Sequence, residues 1–294
     1  MLTHDRKSPE RLALIGVAVN AGLAVVKLVA GIVGHSFALV ADAAESLVDI
    51  AGSVVVWGAF RYGGRPADED HPFGHGKIEA LAGLAVALLV MSVGVGVAAE
   101  AVRQIATPHQ GPLAFTLVVL LAVVAIKETM FQVTQCAAKR ASSSAGHADA
   151  WHHRSDAITS AFAFVGISAA LAGGPDWAPA DDWAALLASG VILFNGVRLC
   201  REPLGELMDK QAPEVAERVT ATALEIDGVL GVERCETRRS GRGYRVVMHV
   251  EVDPQMSVLD SHALTGRVKS VLREQFAELD AVLIHIEPFR GQPH

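Results

Sequence analysis

The chain has three cysteines, Cys136, Cys200 and Cys235, and no C-x-x-C pair among them, which leaves neither a disulfide framework nor a zinc-finger spacing. Aromatic residues make up only 5% of its 294 residues and charged residues only 19%. The formal net charge of -7 comes with no basic stripe, so nucleic acid is not an expected partner. The sequence has no G-x-x-x-x-G-K-[ST] to hold a nucleotide phosphate, and no H-E-x-x-H of a zinc hydrolase. What it has instead is apolar residues, 51% of the total, with a mean hydropathy of +0.34. That balance is too apolar for an ordinary soluble enzyme.

The apolar residues are clustered in runs near 12–33, 36–60, 78–102, 112–135, 151–173 and 182–200. Each is close to the ~20 residues that a helix needs to cross the hydrocarbon core. The expectation is six transmembrane helices in residues 1–207 and a soluble tail in 208–294. The first run follows a short polar arm, Met1 to Glu10, and no small-residue cleavage site follows it, so it reads as a retained helix. Arg6 and Lys7, then Arg61, Arg65 and Lys77, then Lys139 and Arg140 fall in alternate loops, while 34–36, 106–111 and 174–181 carry no Lys or Arg. This asymmetry predicts cytoplasmic termini, with Arg103 the one dissenting charge.

Two of the runs carry costly groups. Glu45-x-x-x-Asp49 and His152-x-x-x-Asp156 each set two potential ligands one helical turn apart, on one helix face. A charged side chain at the bilayer centre costs about 2.5–3.5 kcal/mol on insertion scales, so three carboxylates there need a partner. A divalent cation held by four ligands would supply it. The alternatives are local: Asp156 can pair with Arg154, and Asp42 can be interfacial or can support the ligands. Lys27, Lys127, Asn20, Glu128 and Asn195 read as packing or interfacial partners, with Lys27 and Lys127 able to snorkel to the cytoplasmic surface.

The second loop, Arg65-Pro-Ala-Asp68-Glu-Asp-His71-Pro-Phe-Gly-His75-Gly-Lys77, spaces Asp68, His71 and His75 by three and four residues. Imidazole with carboxylate suits borderline cations, although a polar linker with two histidines would read the same way. The tail predicts a helix over 213–226 opened by Pro213, strands over 230–239 and 243–252, a helix over 257–276 and a strand over 281–287. An α-β-β-α-β order implies a small α+β sandwich with its helices on one face of the sheet. Alternation along the strands puts His249 with Glu251, and His285 with Glu287, on common sides. They are a second candidate metal cluster, or polar residues on a sheet face.

On these motifs the chain resembles the cation diffusion facilitator family over nearly its whole length. Ser36 to Asp49 is similar to the family's second-helix signature, His71-Pro-Phe-Gly-His75-Gly-Lys77 to the hallmark of the following loop, and His152-His-Arg-Ser-Asp156 to the fifth-helix signature. The resemblance implies a homodimeric, proton-coupled exporter of divalent metals in a bacterial cytoplasmic (inner) membrane, with a metallochaperone-like cytoplasmic domain. It implies that Glu45, Asp49, His152 and Asp156 form the transport site, and that the family usually has His or Asp at the position of Glu45. It also implies regulatory metals at His249, His262, His285 and Glu287, with Glu233 where a further His is frequent. Lys77 and Asp209 match a salt bridge that holds the family's dimer together. Zn(II) is the first expected cargo and Fe(II) the second, followed by Cd(II), Co(II) and Mn(II). Thiolate is absent from the ligand set, which argues against Cu(I). Two other classes fit the same residues: a membrane-anchored metal sensor, and an intramembrane metal enzyme with an open coordination position.

Overall fold

In the computed structural model the described backbone covers residues 7–107, 110–141 and 144–291, with side chains described for 17–107, 110–136, 154, 156–174 and 176–291. Six long helices come first: α1 (Lys7–Val33), α2 (Phe37–Gly63), α3 (Lys77–Ala106), α4 (Phe115–Ala141), α5 (Ser144–Gly173) and α6 (Pro179–Leu207). They are followed by α7 (Pro213–Leu224), β1 (Gly231–Ser240), β2 (Gly243–Val252), α8 (Val258–Gln275) and β3 (Leu279–Pro288). The chain clusters into two compact units, Met1–Val55 with Ala85–Leu199, and Val56–Leu84 with Cys200–His294.

The first unit is built inside out relative to a soluble bundle. Its centre is mostly alanine, with Ala30, Ala38, Ala41, Ala101, Ala163 and Ala185 around Leu39, Leu120 and Ile167. Its large side chains, among them Val118, Val165, Leu187 and Phe194, face outward. Small residues inside let helix backbones approach, and apolar residues outside match lipid. A Cβ built on Gly196 of α6 would fall 2.5 Å from Met91 Cγ of α3, so that crossing requires glycine. Among the described residues, four helical stretches are long and apolar enough to cross a membrane: Lys77–Ala106, Phe115–Cys136, Asp156–Gly173 and Pro179–Leu207. Val17–Val33 is a shorter apolar helix.

The start of α2 is fixed from two directions. Ser36 Oγ accepts from Leu39 N at 3.2 Å, a serine cap. Asp181, in the first turn of α6, accepts from Phe37 N at 2.6 Å, Ala38 N at 3.3 Å and Ser36 Oγ at 2.9 Å. A buried carboxylate at a helix N-terminus meets unpaired N–H groups and the positive end of the helix dipole. The acidic residues further along α2 are thereby held at a set height.

In the second unit the tail forms a three-stranded sheet in the order β1-β2-β3. β1 pairs antiparallel with β2, and β3 pairs parallel with β2 through the α8 crossover. Val246, Met248, Val250 and Val252 alternate along β2 toward Val215, Val219 and Ala223 of α7 and Leu264, Val268 and Leu272 of α8. Both helices therefore cover one sheet face, and the opposite face, which carries His249 and Glu251, is open. The expected α-β-β-α-β sandwich is what forms, with element ends displaced by at most two residues.

Candidate functional site

α2 presents Asp42, Glu45, Ser46 and Asp49 at intervals of three and four, a single helical face. Glu45 is half-buried, and the charges acting on it are those of Asp156, Asp42, Asp49 and Lys27. The acidic face of α2 is thus turned toward Asp156 of α5. The His152 side chain lies outside the described residues, so the fourth expected ligand carries no geometry here.

Two lysines fill this acidic region. Lys27 of α1 is fully buried, and its Nζ lies 3.0 Å from Asp42 Oδ1, 3.1 Å from the Asp42 carbonyl oxygen and 2.6 Å from Ser46 Oγ. Lys127 of α4, 2% exposed, donates to Asp156 Oδ2 at 2.6 Å and to Asn20 Oδ1 at 2.8 Å. The expectation that these lysines snorkel outward is corrected: each stem is enclosed and each ammonium finds a buried carboxylate, which water at the interface would otherwise replace. Arg154 lies with its guanidinium carbon 4.8 Å from the centroid of the Phe131 ring. Ser160, one turn beyond Asp156, donates to Asp42 Oδ2 at 2.8 Å.

The network is a ring. Asn20 and Lys27 are two turns apart on α1, and Asp156 and Ser160 are one turn apart on α5. Lys127 joins α1 to α5, and Asp42 joins α5 back to α1. Sequence reading found the acids and missed the ring, although a lone lysine in each of two apolar runs was the available signal, because a buried ammonium requires an anion. A groove of about 580 Å³ in the helical unit is a separate feature, walled by Phe162, Val165, Trp177, Trp183 and Leu187.

In the second unit the loop cluster forms. His71 Nδ1 lies 3.0 Å from Asp68 Oδ1 and His75 Nε2 3.3 Å from Asp68 Oδ2, and the three candidate ligand atoms lie within 4.8 Å of one another. The turn is closed by Gly74 N donating to His71 O at 2.9 Å, with Gly74 at φ +77°, a conformation that suits glycine. The His71 backbone N–H, donating to Asp68 at 2.6 Å, holds that carboxyl below the usual aspartate range, with the His71 ring adding to the effect. His75 is buried beneath Tyr62, their ring centroids 5.1 Å apart, and its Nδ1 has no hydrogen-bond partner.

On the open sheet face, parallel pairing sets His249 beside His285 and Glu251 beside Glu287. His249 Nδ1 lies 2.7 Å from Glu287 Oε1 and 3.8 Å from Glu233 Oε2, and His285 Nε2 lies 3.7 Å from Glu287 Oε1. Hydrogen bonding from His249, then Glu233, lowers the Glu287 carboxyl below its ordinary value. Glu233 reaches this group from the bulge between Val232 and Arg234. His262 does not join it: α8 packs on the other sheet face, and His262 sits exposed on that helix.

Lys77 Nζ lies 2.7 Å from Asp209 Oδ1, and Arg238 Nη1, unforeseen from sequence, lies 2.9 Å from Asp209 Oδ2. Asp209 follows the end of α6 at φ +54°, a left-handed position that Asp tolerates better than most residues.

Comparison with known proteins covers nearly the whole chain. Residues 13–208 match the family model of the cation efflux transmembrane domain, and residues 212–289 match that of the cytoplasmic domain of cation efflux proteins. The chain is 32% identical to metal tolerance protein C1 of Arabidopsis thaliana over 95% of its own length, and spans 62% of that protein. It is 30% identical to the cation-efflux pump FieF of Yersinia pestis, covering 94% of this chain and 91% of that one. It is 27% identical to the manganese efflux system protein MneP of Bacillus subtilis (strain 168), covering 98% and 99%. Among solved structures, a cadmium form of the MamM CTD matches at 22% identity and a TM-score of 0.26, over 26% of this chain and 96% of that one. The chain is therefore a multi-pass membrane protein that belongs to the cation diffusion facilitator family of cation efflux transporters.

Proposed function

We propose that the protein exports divalent transition metals from the cytoplasm in exchange for protons, through a site made of Glu45, Asp49, His152 and Asp156. The observation that carries this reading is the convergence of the acidic face of α2 on Asp156 of α5, inside helices whose apolar core is mostly alanine. Carboxylate and imidazole bind metal only when deprotonated, so cargo and proton compete for the same atoms. Metal enters from the cytoplasm, the inner side closes, and protons arriving from outside displace it.

Zn(II) is the first cargo and Fe(II) the second. Mn(II), which the name of the Bacillus relative specifies for that protein, is the competitor, because three oxygen donors and one nitrogen are a hard set. Residues 1–207 form the transport domain and 208–294 a cytoplasmic domain that pairs two copies, with both termini on the cytoplasmic side of a bacterial inner membrane. Asp68 with His71 and His75, and His249 with His285, Glu287 and Glu233, hold further metals that report cytoplasmic supply. His262 is left out of that set by its place across the sheet. Lys77 and Asp209 tie the base of the transport domain in the dimer.

Proteoliposome flux tests the proposal. An imposed pH gradient is expected to drive zinc movement in the parent protein and none in Asp49→Ala. Stoichiometric zinc binding without gradient-driven flux in the parent would instead make the protein a sensor.

A further inference from the structure

The two buried lysines differ in what they hold. Lys27 is bound by three oxygens of α2, the Asp42 carboxylate, the Asp42 carbonyl and the Ser46 hydroxyl, none of them in the proposed ligand set. Lys127 is bound by Asp156, which is in that set, and by Asn20. One ammonium therefore fastens α1 to α2, while the other sits on an atom that the cargo needs.

We propose that Lys127 is a tethered counter-cation: it occupies Asp156 while no metal is bound, is displaced toward Asn20 when a divalent cation loads, and returns to Asp156 as the cation leaves. This rests on Asp156 being a transport ligand. The lysine cannot diffuse away, so its local concentration at Asp156 stays high and metal release is never left to a bare carboxylate in a low-dielectric interior. It also sets a threshold for cargo. A monovalent ion gains too little from Asp156 to displace an ammonium that already has two acceptors, whereas a divalent ion gains from three carboxylates together. Lys127 is thus a positioning residue for release, distinct from Lys27, whose hydrogen bonds and ion pair go to Asp42 and Ser46.

The test measures zinc binding alone, by chelator competition on the full-length protein in detergent, with Asp68, His71, His249 and His285 changed to Ala so that one site is read. Lys127→Met is expected to bind zinc at least about tenfold tighter, since an opposing charge within 4–6 Å commonly shifts ionic equilibria by that much or more. In proteoliposomes the same variant should show a lower KM and a lower kcat, and Lys127→Arg should restore both within about threefold. Lys27→Met is expected to lower thermal stability and to tighten zinc less than Lys127→Met does. A folded Lys127→Met that binds zinc with parental or weaker affinity overturns the proposal. Should that variant not fold, the unsubstituted side chains at 27 and 127 decide it: with ζ-nitrogen labelling, zinc should move the Lys127 signal and leave the Lys27 signal in place, and a stationary Lys127 signal overturns it. Asp49→Ala separates the two readings. Parental zinc binding in Asp49→Ala removes the transport site itself, whereas zinc lost there with no effect at Lys127 removes only the counter-cation.

Discussion

Ser160 of α5 donates its hydroxyl to Asp42 of α2 at 2.8 Å, one turn beyond the Asp156 carboxylate that receives Lys127. Asp42 accepts on its other oxygen from Lys27, which is fully buried. Three helices therefore meet on one carboxylate, and its loss would leave an ammonium stranded in an apolar interior. Asp42→Asn is expected to destabilise the protein by about 3–5 kcal/mol, the usual cost of removing one partner from a buried pair. Replacing Lys27 by Met in the same protein should recover most of that loss. Thermal unfolding in detergent of both single variants and the double variant measures this coupling, and additive losses would show that the two groups do not act as a pair.

Glu45 is the proposed ligand at the position where the resemblance to the second-helix signature implies that the family usually has His or Asp. Among the described residues its charge neighbours are acidic, Asp156, Asp42 and Asp49, opposed by Lys27, and the carboxylate itself gives the site a hard character. Glu45→His replaces an oxygen donor by a nitrogen donor. The expected result is a shift of about tenfold in the ratio of zinc to manganese transport, in favour of zinc. Parallel flux measurements with the two ions on one liposome preparation check it, and an unchanged ratio would remove Glu45 from the selectivity of the site.

Much of this architecture was legible from residue spacing. Six apolar runs became six helices because backbone polar groups in lipid must be satisfied within each segment. The period-two alternation of Val246, Met248 and Val250 placed His249 on the open sheet face. What spacing could not supply was partnership across helices. The pairing of Lys127 with Asp156 spans 29 residues and that of Ser36 with Asp181 spans 145, so neither leaves a local pattern. His262 stands apart from the cluster for the complementary reason. A histidine in α8 is close in sequence to the sheet ligands, yet the intervening sheet lies between it and them. Glu233 was drawn in by a bulge, which shifts register by one residue and has no reliable signature in Val232-Glu-Arg234.

The sheet-face cluster makes a prediction of its own. His249 and His285 have ring centroids 5.0 Å apart, and both approach Glu287. His285→Ala is expected to remove about one zinc equivalent per chain from the full-length protein, in a background where Asp49 is changed to Ala. His262→Ala in the same background should leave that stoichiometry unchanged. Equilibrium dialysis with zinc measures both, and loss of zinc from the His262 variant would require a ligand reaching around or across the sheet.

Asp209 supports a test by pH. The Lys77 ammonium, with Arg238 beside it, holds the Asp209 carboxyl below the usual aspartate range. A depressed carboxyl stabilises the folded state at all pH values above its unfolded pKa of ~3.9, and that contribution is lost as pH falls through the lower folded value. The side chain is 43% exposed, so water and salt screen the pair and hold its worth below about 1 kcal/mol. Asp209→Asn should therefore melt slightly lower than the parent at pH 7, and the difference should close below about pH 3. A difference that persists unchanged at low pH would mean that the variant disturbs the left-handed turn rather than the charges. Arg238 also sets the outcome of a charge exchange. Lys77→Asp combined with Asp209→Lys restores one attraction but turns the new ammonium toward Arg238, 2.9 Å from the present carboxylate. The exchange is expected to recover only part of the stability and transport lost in either single variant, and adding Arg238→Glu should recover more. Full recovery by the two-residue exchange alone would show that Arg238 takes no part in the tie.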